Sequence, residues 1–198
     1  MKYKRRDGDV LMRKVLFDEC PMCDKTHEVE EWECIDTTIV QGQKVSYTEK
    51  IFFCQNASDD MNMFVNGGML NENLTRCRNA YRIQNGLLTS KEIAGIREEY
   101  GLTSEEFSKI LGFKEDRIKR LEAKVIQDKE TDQLIRRFHT DKDFAADLVQ
   151  KSVNVMPEGK SEEVLKKLKK MINEKYPQTR RRIPCGFCVA SKAILSFL

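Results

Sequence analysis

"YGLTSEEFSKILGFKEDRIKRLE", residues 100–122, is the stretch on which the fold turns. Gly101 closes a preceding helix, because glycine takes a left-handed C-terminal cap without a steric penalty. Thr103-Ser104-Glu105-Glu106 has the spacing of a capping box, so a helix starts at this point. Phe107, Ile110 and Leu111 fall on its inner face, and Gly112 supplies a sharp turn. A second helix is expected from about residue 114 to 123, with Ile118 and Leu121 facing inward. That leaves Lys114, Arg117, Lys119 and Arg120 at or near the outer face.

Two short helices held at an angle by an apolar corner, with cations on the second, form a helix-turn-helix that can enter a major groove. Arginine there can pair bidentately with guanine, while lysine favours phosphate. Thr103, Lys114, Arg117, Lys119 and Arg120 are therefore the candidate duplex contacts. Glu115 and Asp116 stand among these cations and repel phosphate. A merely solvated amphipathic helix is the competing reading.

Working outward, Thr89-Ser90-Lys91-Glu92 is another capping box, followed by Ile93, Ile96 and Tyr100 on one helical face. Beyond the second helix, residues 128–138 carry Leu134, Ile135 and Phe138 at helical spacing. Towards the N-terminus the period changes. "HEVEEWECIDTTIV", residues 27–40, and "KVSYTEKIFF", residues 44–53, alternate with a period near two, and the Gln41-Gly42-Gln43 turn joins them into a β-hairpin ending at Cys54. "NENLTRCRNAYRIQNG", residues 71–86, then reads as a helix with Asn71 as cap and Gly86 as stop. Residues 141–151 and 161–175 also have helical spacing. The expected fold class is α+β. A small β-rich, zinc-finger-like domain with a helix spans residues 1–87, an all-α helix-turn-helix domain spans 88–138, and a helical C-terminal extension spans 139–198.

Composition excludes little but is consistent with this. The chain has 198 residues, 34% charged and 40% hydrophobic, as in soluble globular proteins. A formal net charge of +3 is too small to argue for a nucleic-acid partner, so that case rests on local charge. No stretch is apolar and long enough to span a bilayer, and the basic N-terminus leads into no signal-peptide core. A cytoplasmic location is expected, where the seven cysteines stay reduced, either free or metal-bound.

Cys20-Pro21-Met22-Cys23 is a metal half-site, since two thiolates at this spacing grip one zinc ion. Cys54 ends the hairpin where a second knuckle belongs, but the position that would complete it is Ala57. Cys20, Cys23 and Cys54 are thus three candidate zinc ligands. Cys34, His27, Asp59 and Asp60 are candidates for the fourth, and loss of the metal is the alternative. Cys185-Gly186-Phe187-Cys188 is a second Cys-x-x-Cys without a context that assigns it a role, and Cys77 reads as a packing residue.

"CPMC", the hairpin, "FFCQNA" and "NENLTRCRNAYRIQNGLLTSKEIAGIREEYGLTSEEFSKILGF", in this order, resemble the MqsA-like antitoxins. Those proteins join a YgiT-type zinc finger to an Xre/Cro-type helix-turn-helix. The resemblance covers about residues 20–138. It implies a type II toxin–antitoxin role: a toxin partner, a homodimer, and repression of its own operon through operator DNA. It also implies that Cys20, Cys23 and Cys54 ligate zinc and that residues 114–120 form the recognition helix. The family's fourth cysteine falls at Ala57, and Leu121 stands where the family often carries an aromatic residue. No nucleophile–base pair or phosphate loop is present, so no enzyme is expected. The alternative is a protein-interaction module of a phage or mobile element whose helix-turn-helix no longer binds DNA.

Overall fold

The computed structural model describes residues 8–57 and 62–175. Asp59, Asp60, Cys185 and Cys188 lie outside the described residues. The chain is α+β: an antiparallel sheet of order β1-β2-β3-β4 precedes a run of helices.

The sheet is built on the hairpin of β2 (His27–Val40) and β3 (Gln43–Phe53), in register from Glu30 opposite Phe53 to Val40 opposite Gln43. Gln41 and Gly42 turn the hairpin with φ of 48° and 78°, values that favour residues tolerant of the left-handed region. β1 (Val10–Phe17) pairs with β2 and was not expected from the sequence. A register shift between Leu11 and Arg13 breaks its alternation. Val10, Leu11 and Met12 are all exposed, and only Val15 and Phe17 at its far end are half-buried, so little alternation marks it as a strand. β4 (Met63–Phe64) is short and pairs with the end of β3.

α1 (Gly67–Gln84) starts five residues before the expected point, because Asn66, not Asn71, is the cap: its side chain accepts from the Met69 backbone N–H. Asn73 then occupies the edge of β3. Its carboxamide accepts from the Lys50 N–H at 2.9 Å and donates to the Lys50 carbonyl at 2.7 Å, as a neighbouring strand would. A helix laid along an open sheet edge removes a template for unwanted pairing.

α2 (Ser90–Glu99) and α3 (Ser104–Ile110) each begin with the complete capping box read from the sequence, at Thr89/Glu92 and Thr103/Glu106. Gly101 and Gly112 close these helices with φ of 68° and 74°. α4 (Arg117–Ala123) is shorter than expected at its N-terminal end: Lys114, Glu115 and Asp116 lie in the turn, where the Arg117 N–H meets the Lys114 carbonyl. α5 (Lys129–Thr140), α6 (Lys142–Lys151) and α7 (Lys160–Lys175) complete the described chain.

One apolar core unites these helices. Ile93, Tyr100, Phe107, Ile118, Leu121, Ile135 and Phe138 are buried in it together with Ala145, Val149, Val164 and Leu168. Tyr100 and Phe107 each meet the Phe138 ring edge-on at 5.1 Å. α6 and α7, expected as an extension, therefore share the core of α2–α5. The sheet has separate, smaller clusters, one around Cys20, Val29, Phe52, Cys54 and Met69, the other around Trp32, Cys34 and Ile51.

Candidate metal centre and nucleic-acid interface

The β1–β2 loop, the start of β2 and the end of β3 converge on one point. Cys20, Cys23, His27 and Cys54 bring three sulfurs and one ring nitrogen within 4.8 Å of one another. The His27 Nε2 lies 3.2 Å from Cys23 Sγ and 3.5 Å from Cys54 Sγ. A tetrahedral ion with bonds of about 2.0–2.3 Å separates its ligand atoms by roughly 3.5–3.8 Å. The donor set can therefore hold a metal ion. Cys34 takes no part, being packed with Trp32 and Ile51.

The backbone explains the convergence. The N–H groups of Cys23 and Asp24 both return to the Cys20 carbonyl, and Asp24 sits at φ 56°, which folds residues 20–25 into a knuckle. His27 Nδ1 faces the Glu28 carbonyl oxygen at 2.8 Å. A carbonyl only accepts, so Nδ1 carries the proton and the Nε2 lone pair is left for the cluster. Such a second contact is the usual way of orienting a ligating histidine.

Burial pushes the Cys23 thiol up, but the Lys25 backbone N–H, the Cys54 and Cys20 thiols and His27 outweigh it, leaving a lowered pKa. Burial pushes the Cys54 thiol up to about 11, and the Cys20 and Cys23 thiols add to this. The backbone N–H groups of Asn56 and Ala57 oppose that rise. Position 57 thus serves the site through its amide, and its lack of a thiol costs no ligand. Around the cluster, Phe17 meets Phe52 and Phe64 edge-on at 5.1 and 5.4 Å, making an apolar wall.

Sequence reasoning named His27 only as one of several candidates. The signal was there: Cys-x-x-Cys-x-x-x-His puts the imidazole just past the knuckle, at the first residue of a strand that returns towards Cys54.

The second site is the α3–α4 corner. Ile118 and Leu121 are fully buried against Phe107 and Ile110. Ser108, missed in the sequence, ties the helices together: its hydroxyl accepts from the Ile118 N–H at 3.1 Å and donates to the Ser104 carbonyl. Thr103, Lys114, Lys119 and Arg120 are exposed, and Arg117 is half-buried. The Thr103 hydroxyl accepts from the Glu106 N–H at 3.1 Å, so it caps α3.

The charges are partly paired. Arg117 reaches Asp128 at 3.4 Å, Arg120 reaches Asp116 at 3.7 Å, and Lys109 holds Glu115 at 2.6 Å. Lys114 and Lys119 have no ion pair among the described residues. Glu115 and Asp116 are thus each matched by a cation, which reduces their repulsion of an approaching phosphate.

Neither a family model, nor a curated protein, nor a solved structure matches the chain. No helix among the described residues is long and apolar enough to cross a membrane.

Proposed function

We propose that this protein is a DNA-binding transcriptional regulator of antitoxin type, without catalytic activity. α4 is its recognition helix, and zinc is held by Cys20, Cys23, His27 and Cys54. The observation that carries the reading is the α3–α4 corner. Its apolar side is buried, and its outer side offers Lys114, Lys119 and Arg120 to solvent, with Thr103 at the start of α3. Three thiols with one imidazole favour zinc over hard, oxygen-seeking cations. The toxin partner, the homodimer and the self-regulated operator follow from the resemblance of residues 20–138 to MqsA-like antitoxins.

The test is retention on duplex DNA as a function of salt. Binding through several phosphates weakens steeply as salt rises, with a slope of about 0.9 per contact. Retention at low salt that disappears in Lys119→Ala/Arg120→Ala supports the reading. An unchanged affinity in that double variant sinks it.

One observation favours a second reading, a protein-interaction module without DNA function. Arg117, Arg120 and Lys109 each have a carboxylate partner, which lowers the net charge this face presents. In that case duplex DNA is not retained beyond what a net charge of +3 explains.

A further inference from the structure

α1 touches both sites. At its N-terminal end Met69 is buried in the cluster that contains Cys20 and Cys54. One turn on, Asn73 holds both backbone groups of Lys50, four residues before Cys54. At its C-terminal end Arg82 is 1% exposed and reaches into the helical core. The Arg82 guanidinium donates to the Leu121 carbonyl at 2.6 Å and to the Val125 carbonyl at 2.7 Å, both at the end of α4. It also donates to Gln127 Oε1 at 3.0 Å and to Asn79 Oδ1 at 2.7 Å. Arg78, one turn earlier, donates to the Ala123 carbonyl at 3.4 Å.

The last carbonyls of a helix have no partner within it, and α4 is too short to spare any. Its C-terminal cap therefore comes from another element, as a cation placed where the helix dipole favours one. The acceptors of Arg82 are all neutral. Gln127 passes the contact on to the Leu88 carbonyl and to Asp132 Oδ1, which also accepts the Leu88 N–H. A buried guanidinium has no cheap alternative arrangement, because losing its acceptors leaves an uncompensated charge in the core. When α1 shifts, the end of α4 must shift with it. Thirteen residues separate Met69 from Arg82, about 20 Å of continuous helix at 1.5 Å per residue.

We propose that Arg82 is the positioning residue of α4 and that α1 couples it to the metal centre, so that an ion bound by Cys20, Cys23, His27 and Cys54 steadies the C-terminal end of α4. The ion cross-links the knuckle, the start of β2 and the end of β3, which together form the seat of Met69 and the edge held by Asn73. The inference rests on the metal centre. Its consequence for DNA rests on the reading of α4 as a recognition helix.

The experiment is backbone amide exchange on the full chain, chelated and Zn²⁺-loaded, in the wild type, Arg82→Met and Asn73→Ala. Metal binding is followed separately by the thiolate absorption of Co²⁺. In the wild type, zinc slows exchange across residues 117–127 about tenfold, within the usual range of coupling between two sites, and leaves α7 nearly unchanged. In both variants the Co²⁺ absorption persists while the slowing falls below about twofold. Should Arg82→Met not fold, Asn73→Ala decides, since it cuts the same path at the sheet. No slowing in metal-loaded wild type, equal slowing in α7, or no Co²⁺ uptake overturns the proposal. None of these readouts involves DNA, so a failure to bind duplex counts against the proposed function alone.

Discussion

The sheet and the helices of this chain are held by different physics. The helices that follow α1 share one core, which runs from Leu88 to Leu168 and contains Tyr100, Phe107 and Phe138. The sheet divides its apolar residues between two small clusters, and the one at its metal end includes Cys20 and Cys54. A region that spends buried positions on thiols gives up hydrophobic stabilisation, and a bound ion is the natural replacement. The lesson is that two parts of similar size in one chain can differ in whether sequence-encoded packing is enough.

The largest effect expected from this contrast is metal removal. Structural zinc contributes on the order of 10 kcal/mol in small fingers. Chelation, or Cys20→Ser, should therefore disorder the sheet, read as a shift in Trp32 fluorescence, while most of the helical circular dichroism persists. Loss of both signals together would mean the two regions are one cooperative unit. Next is Phe107→Ala, expected to cost about 3–5 kcal/mol from its fully buried position. Here the helical signal should melt early while Co²⁺ uptake survives. Abolished uptake would break the comparison from the other side.

Acid offers a milder probe. Burial pushes the Asp132 carboxyl up, but bonds from Gln127, Arg136 and the Leu88 N–H outweigh it, and its pKa is lowered. A depressed folded pKa means that stability is present above the ordinary carboxylate value of about 4 and is lost as pH falls through the lowered value. Asp132→Asn should flatten the acid limb of the helical melting curve. An unaltered limb would assign acid sensitivity to other carboxylates.

The smallest effects test single positions. Lys114→Ala/Lys119→Ala should leave stability within about 0.5 kcal/mol. The salt slope of duplex binding should fall by about 2 in that variant. A slope that does not move would remove both lysines from the interface. Ala57→Cys should leave the Co²⁺ spectrum unchanged, because His27 already completes the donor set. A shift to a four-thiolate spectrum would return position 57 to the site.

How far each part could be read from the sequence follows from how local its determinants are. α2 and α3 were legible to the residue, since Thr89/Glu92 and Thr103/Glu106 act over three positions. The β2–β3 hairpin was legible by its period. β1 was not, because the shift after Leu11 and its exposed apolar residues erase the alternation. Three of the metal-cluster residues were named from the Cys-x-x-Cys and the hairpin end, but His27 could be chosen over its rivals only once the strands had brought it beside Cys54. The start of α1 was misplaced because two asparagines five residues apart, Asn66 and Asn71, compete as caps, and only the bond from the Met69 N–H to the Asn66 side chain decides between them. Arg82 gave no sign at all: three of its four acceptors, Leu121, Val125 and Gln127, lie about forty residues along the chain.

The candidate metal centre closes across a hairpin rather than within one loop, so its geometry depends on strand register. Cys54 meets His27 only if β2 and β3 pair with Glu30 opposite Phe53. A slip of one residue would turn every β3 side chain to the opposite face of the sheet, leaving the knuckle with its imidazole and no third sulfur. On the proposed reading, an ion held by all four donors would therefore favour chains whose strands are in this register over chains whose strands are misaligned.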